Sequence, residues 1–429
     1  MASGEWGAVE VTGATLLRYR AAAVGYGSEN VVRQAELSVH AGEVVGLIGP
    51  NGAGKSTLLR AVTGDSVLFS GSIELGGRSL STISTLERAA LVGVVPQQVI
   101  AEFSFPAREF VEMGRHPHLP RFSRPGPADA AAVERAMALT DTTHLAEKPV
   151  DALSGGDLQR LAFAQALATE PSVLLLDEPV SHLDLNHRMQ VLDLTRQLAD
   201  EGMAVLAVFH DLDLAARYAD RIAVVAGGAL SAAEPPIRII TTDTLRTVFG
   251  VRAVVGTDPV TGSVSVTPVL RDGAVAVRDR GRVHVVGGSG VAAPLMRRLV
   301  LAGWTVSAGA LNAGDADAML ADALGVEYPR IPPFAPMDSA SAIHAAQLAD
   351  KASAIVVCEV PFGHGNVDNL LVAVRAGRPL VLVGDIAGRD FAGGAAQSYW
   401  TEALAAGARQ VADTDEVLDA LAQWDNAVV

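Results

Sequence analysis

Cysteine occurs once in the 429 residues, at Cys358, so no disulfide framework can form and the chain suits a reducing cytosol. Lysine is almost as scarce. It stands only at Lys55, Lys148 and Lys351, and the other 30 of the 33 basic residues are arginine. Against 48 acidic residues this leaves a net charge of −15 and a pI near 5.1. That balance argues against nucleic acid as a partner, because phosphate backbones are held by basic patches. Long apolar runs are missing too. Mean hydropathy is +0.29, yet the most apolar stretches, Ser172–Leu176, Met203–Phe209 and Ala354–Cys358, are only strand-length. A membrane-spanning helix needs about 20 apolar residues. The hydropathy reads as buried parallel strands plus an alanine bias. Met1–Gly13 carries no basic, apolar, small-residue signal sequence.

What is present is ample core material, 49% hydrophobic against 19% charged, and a length that suits two domains. Residues 1–272 read as a first domain, 273–281 as a linker and 282–429 as a second. In the first, strands expected over Glu43–Ile48, Leu91–Val95, Val173–Leu176, Ala204–Phe209 and Arg221–Val225 alternate with helices. The helices are expected over Lys55–Thr63, Ala107–Gly114, Ala128–Leu139, Gly155–Ala168, Asn186–Asp200 and Leu212–Tyr218. That order predicts an α/β fold with a largely parallel sheet. Arg252–Arg280 reads as the tail of the first domain plus linker, with alternating valines over Val266–Val277 and a turn at Asp272–Gly273. The second domain repeats the α/β pattern. Its strands are expected at Val283–Val286, Thr305–Ala308, Ala354–Val357 and Leu380–Val383, which predicts a small doubly wound, Rossmann-like domain.

Gly49-Pro50-Asn51-Gly52-Ala53-Gly54-Lys55-Ser56 fits G-x-x-x-x-G-K-[ST], and it follows a strand and opens a helix as that motif requires. Its glycines let backbone N–H groups close on phosphate oxygens at a helix N-terminus. Lys55 is expected to reach the β- and γ-phosphates of ATP, Ser56 to hold Mg²⁺, and Thr57 to join the nucleotide-binding set. The apolar strand ending at Asp177-Glu178 leaves two carboxylates that must be solvated, paired or metal-bound. Asp177 suits the Mg²⁺, and Glu178 suits polarising the attacking water. Leu153-Ser154-Gly155-Gly156-Asp157-Leu158-Gln159-Arg160 is either a plain helix N-cap or a second anion site.

Together with Asp177-Glu178-Pro179 and His210 after its strand, these motifs resemble the nucleotide-binding subunits of ABC transporters, over Val9 to about Arg271. The resemblance implies a P-loop NTPase cassette with a RecA-like core, a helical subdomain and an antiparallel β part. It implies that Tyr26 stacks on adenine, that Gln97 senses Mg²⁺ and that His210 contacts the γ-phosphate. It implies that Ser154, Gly155 and Gly156 grip the γ-phosphate held by a second copy, and that Ser181-His182-Leu183-Asp184 crosses the dimer interface. The partners so implied are a second copy in a head-to-tail homodimer, a membrane permease on whose cytoplasmic face the chain would sit, and a substrate-binding protein. Asp157-Leu158 departs from the commoner Glu-Gln of the signature helix, and Val180 stands where Thr is frequent.

Phe105–His118, with its Met-Gly-Arg-x-Pro-His run, resembles the subfamily importing iron–siderophore, haem and vitamin B12, in which that run lies near the permease docking groove. The C-terminal stretches Val283–Gly290, Leu301–Val306, Gly309–Asp315 and Pro361–Asn366 resemble an appendage on some cobalamin-import ATPases, which favours a corrinoid cargo over siderophore or haem. Gly288-x-Gly290-x-x-Ala293 also fits a loose dinucleotide-loop pattern, without an acid at the end of the next strand. A structural turn, a regulatory ligand site lined by Gly290, Asn312, Asp315 and Asn366, and a nucleotide-using enzyme all remain open there. A soluble ABC ATPase usually carries two cassettes or a long coiled-coil insertion, and neither appears. An exporter is disfavoured by the lack of spanning helices.

Overall fold

The computed structural model describes residues 13–99, 104–120, 123–181, 183–271 and 280–425. Contacts divide the chain into two units, one built from residues up to Thr244 with Gly256–Ser265, the other from Leu245–Val255 with Val266 onward.

The first unit is organised around a six-stranded sheet. Its order is Ala229–Leu230, Arg221–Ala226, Val44–Ile48, Ala204–Val208, Val173–Asp177, Val92–Val95, parallel throughout except for the short hairpin at the first edge. The three central strands are buried at every residue. This is why they read as unbroken apolar runs rather than as alternating ones. A second, antiparallel sheet pairs Thr15–Tyr26 with Glu29–His40 and Val67–Leu75. The helical part comprises Ala107–Glu112, Pro127–Leu139 and Gly155–Ala168. The first of these ends two residues before the expected Gly114, where a 3₁₀ segment, Met113–His118, takes over with Pro117 inside it. Buried Arg115 brackets this region. It donates to Asp129 at 3.0 Å, to Glu170 at 2.9 Å and to the Ala168 carbonyl at 2.7 Å.

The second unit is a five-stranded parallel sheet in the order Thr305–Ala308, Arg282–Val286, Ala354–Val357, Leu380–Val383, Arg409–Val411. Numbered along the unit, that is 2-1-3-4-5, a doubly wound order. The stretch read as tail and linker contains the hairpin Val251–Thr257 with Val264–Arg271, and its Val269 and Leu270 lie in this unit's core. The expected turn at Asp272–Gly273 and most of the 273–281 linker fall outside the described residues. Among the described residues no helix is long and apolar enough to cross a membrane.

One core residue is expected to make this sheet acid-sensitive. His284 is fully buried in its strand, its Nδ1 is 3.1 Å from the Ser307 hydroxyl, and among the described residues its Nε2 has no hydrogen-bond partner. Burial pushes its pKa down from 6.5 to about 4. Between those two values the unfolded chain binds a proton that the folded chain refuses, so stability present above pH 6.5 is lost as pH falls. The full effect is on the order of 3 kcal/mol. Denaturant melts from pH 7 to pH 4.5 should show this loss, and His284→Gln should flatten the slope across that window.

Candidate nucleotide site

The strand Val44–Ile48 delivers the chain to Gly49, whose φ is 149°. A Cβ there would stand 2.1 Å from the Val225 carbonyl oxygen, so only glycine fits. Gly54, at φ 105°, meets the same limit against Val32 at 2.5 Å and starts the helix Lys55–Thr63. The turn between them curls over the Lys55 side chain. Nζ donates to the Gly49 and Pro50 carbonyls at 2.8 and 3.0 Å. Burial lowers the Lys55 pKa, and the nearby Glu178 and Asp177 carboxylates oppose that shift.

Beside the loop, the Ser56 hydroxyl donates to Asp177 Oδ1 at 2.8 Å. Burial raises the Asp177 pKa, Ser56 works against the rise, and the adjacent Glu178 adds to it. Glu178 itself sits at φ 53°, in the left-handed region that side chains avoid, where strain often marks a functional position. Its two oxygens are taken by Gln97 Nε2 at 2.7 Å and by His210 Nε2.

Lys55, Ser56, Gln97, Glu178 and His210 converge on one cavity of about 690 Å³, also lined by Tyr26, Val31, the rest of the loop from Asn51 to Thr57, and Arg60. That volume suits a nucleotide-sized ligand. Asp177 stands behind Ser56 and lines a neighbouring cavity. Arg60 was not foreseen from sequence. It lies one helical turn beyond Ser56 and donates to the Tyr26 hydroxyl at 3.2 Å. Only the helical spacing from the loop could have pointed to it.

Ser154, Gly155, Gly156 and Asp184 do not line this cavity. Ser154 and Asp184 cap the helices Gly155–Ala168 and Leu185–Asp200. Among the described residues, Gly155 and Gly156 meet no conformational reason to be glycine. Neither has a positive φ, a Cβ on Gly155 would meet nothing within 4 Å, and one on Gly156 would touch Leu183 at an ordinary 3.5 Å. His182, of the Ser181–Asp184 loop expected at a dimer interface, lies outside the described residues.

The glycine loop of the second unit is filled from within. Asp315 accepts the N–H groups of Ser289 and Gly290, at 2.7 and 3.2 Å. Asp317 accepts those of Gly288, Ala292 and Ala293, at 2.7, 3.2 and 2.7 Å. Two carboxylates thus occupy the donors that a phosphate would need. Asn312 and Asn366 are likewise tied to neighbouring backbone, Asn312 to the Pro332 and Ala335 carbonyls and Asn366 to Gly363 and Pro361.

Known proteins resemble both units. The ABC transporter family matches residues 32–181, and the MJ0874 family matches 306–418. The cobalamin import ATP-binding protein BtuD of Halobacterium salinarum (strain ATCC 29341 / DSM 671 / R1) is 43% identical over 359 residues, covering 83% of this chain and 89% of that protein. The hemin import ATP-binding protein HmuV of Rhodococcus jostii (strain RHA1) is 42% identical over 259 residues, 60% of this chain and 87% of that one. Among solved structures, an inward-facing metal-chelate type ABC transporter aligns with 97% of its own chain and 59% of this one, at a TM-score of 0.52 and 27% identity. With its P-loop cavity and this similarity across both units, the chain belongs to the ATP-binding proteins of ABC transporters, and its reaction is ATP hydrolysis.

Proposed function

We propose that two copies of this chain energise an importer whose cargo is a corrinoid, each copy holding ATP between its own P-loop and the Ser154–Gly156 loop of the other. The shared site is supported by Gly155 and Gly156, glycines that packing among the described residues does not demand, at an exposed helix N-terminus. Close approach of an outside group is what remains to explain them. The other partners on this reading are membrane permease subunits and, through them, a substrate-binding protein.

Within one copy, Lys55 exchanges its two carbonyl partners for phosphate oxygens, and Tyr26, backed by Arg60, takes the base. Ser56 and Asp177 would hold Mg²⁺. Their hard oxygens suit that ion, and a buried carboxylate with a raised pKa calls for a cation. Mg²⁺ supplies charge neutralisation on the transferring phosphoryl group. Glu178 polarises the attacking water once His210 turns from the carboxylate to the γ-phosphate. Gln97 relays the state of the site to the permease.

The corrinoid reading rests on the extent of the similarity. The match to the cobalamin import protein runs over 359 residues, more than the first unit holds, whereas the match to the hemin import protein covers 60% of this chain. Uptake of labelled cobalamin and of haemin into vesicles carrying this chain with its permease and binding protein separates the two cargoes. ATP-dependent cobalamin uptake without haemin uptake is expected, and haemin uptake alone would overturn the corrinoid reading.

A further inference from the structure

The Ser154 hydroxyl is engaged twice within its own chain. It accepts the Asp157 backbone N–H at 3.2 Å, an ordinary capping bond. It also donates its one proton to Asp157 Oδ2 at 2.7 Å. The other carboxylate oxygen, Oδ1, accepts Arg160 Nη2 at 2.6 Å. Arg160 is buried, and its second terminal nitrogen leans on Asp141, 3.5 Å from the carbonyl and 3.7 Å from the carboxylate. Asp157 is therefore fixed from behind by a confined arginine while it faces the hydroxyl.

Partial burial works to raise the Asp157 pKa, but the bonds from Ser154 and Arg160 outweigh it and hold the carboxyl below its usual range. The group is an anion at neutral pH, and charged acceptors make the stronger hydrogen bonds. An ordinary cap elsewhere in the chain shows the contrast. At Ser84, Glu87 accepts both the hydroxyl at 2.8 Å and the backbone N–H at 2.9 Å, and it serves the helix end. Glu87 also meets an arginine with its other oxygen, but Arg78 is exposed and stands 3.3 Å away, whereas the Arg160 behind Asp157 is buried and stands at 2.6 Å.

A hydroxyl has one proton to donate. While Asp157 holds it, Ser154 cannot give it to a phosphate oxygen, and the carboxylate adds negative charge beside the place where a polyanion must arrive. We propose that Asp157 is a positioning residue that holds the Ser154 hydroxyl in reserve, so that closing two copies on ATP requires transfer of that hydrogen bond from carboxylate to phosphate. Asp157 then sets how much ATP is needed for closure. This rests on the reading of Ser154–Gly156 as the loop that meets the other copy's ATP.

Steady-state hydrolysis by the full-length chain tests it with Asp157→Asn, Ser154→Ala, the double variant and Asp157→Glu. Asn keeps the shape and an acceptor for Arg160 but is neutral. Asp157→Asn should lower the ATP KM about 3- to 10-fold with kcat within about twofold. Ser154→Ala should raise KM, and in that background Asp157→Asn should shift KM less than about twofold, because no hydroxyl is left to release. Asp157→Glu, which keeps the charge, should retain the original KM, and this holds the test open if Asn weakens folding. An unchanged or raised KM for Asp157→Asn, an equal drop in the Ser154→Ala background, or a drop with Glu would overturn the proposal. Ser154→Ala without effect on KM would also overturn it, and would place the failure in the reading of the loop itself.

Discussion

Glu178→Gln should leave ATP binding intact while hydrolysis falls by about 10²- to 10⁴-fold, the range for losing a positioned general base. The variant keeps an acceptor toward Gln97 or His210, so the cavity's framework stays in place and only the anionic charge at the water is lost. Retained binding is the diagnostic part. Because Glu178 contacts neither Lys55 nor Ser56 in the hydrogen-bond network, its neutralisation should not loosen the phosphate loop. Fluorescent-nucleotide titration and phosphate release measure the two quantities separately. Turnover like that of the unmodified chain would mean that another group organises the water.

Asp177→Asn should remove the Mg²⁺ dependence of ATP binding and reduce hydrolysis by roughly 10²- to 10³-fold, since Lewis-acid stabilisation is worth several kcal/mol. Stability should move the other way. Burial raises the Asp177 pKa above its unfolded value. Its favourable contribution is therefore present below the unfolded pKa and lost as pH rises through the folded one. At neutral pH the cation-free carboxylate is a net cost that Asn relieves, while Asn can still accept from Ser56. Thermal melts should show Asp177→Asn at least as stable as the unmodified chain, and adding Mg²⁺ to the ATP-saturated proteins should raise further only the latter's melting temperature. A variant that melts much lower would make the lost activity a folding effect.

The parts of this site legible in sequence were those whose chemistry is local. The Gly49–Ser56 loop is contiguous, its glycines answer to backbone clashes, and Asp177 and Glu178 stand out because charges rarely end an apolar strand. Parallel strands were equally plain, since burial on both faces leaves continuous apolar runs. The antiparallel sheet escaped individual assignment. Thr15–Tyr26 pairs through several register shifts that break the two-residue alternation by which a half-buried strand is recognised. Arg60 and Arg115 owe their roles to partners brought in by folding. Asp315 and Asp317 come a few residues after the end of the second strand, too late for the acid that a dinucleotide loop would place there, and nothing local points them at the loop from Gly288 to Ala293. The fold carries them back across it, and they fill its donors.

On the proposed shared site, one chain holds only half of each ATP site. Light scattering of the Glu178→Gln protein, with and without ATP, tests it most directly. The mass should rise from that of one chain to that of two at saturating ATP, and the rise should be reversed when Ser154→Ala is added. A mass of one chain at every ATP concentration, with nucleotide bound, would contradict it.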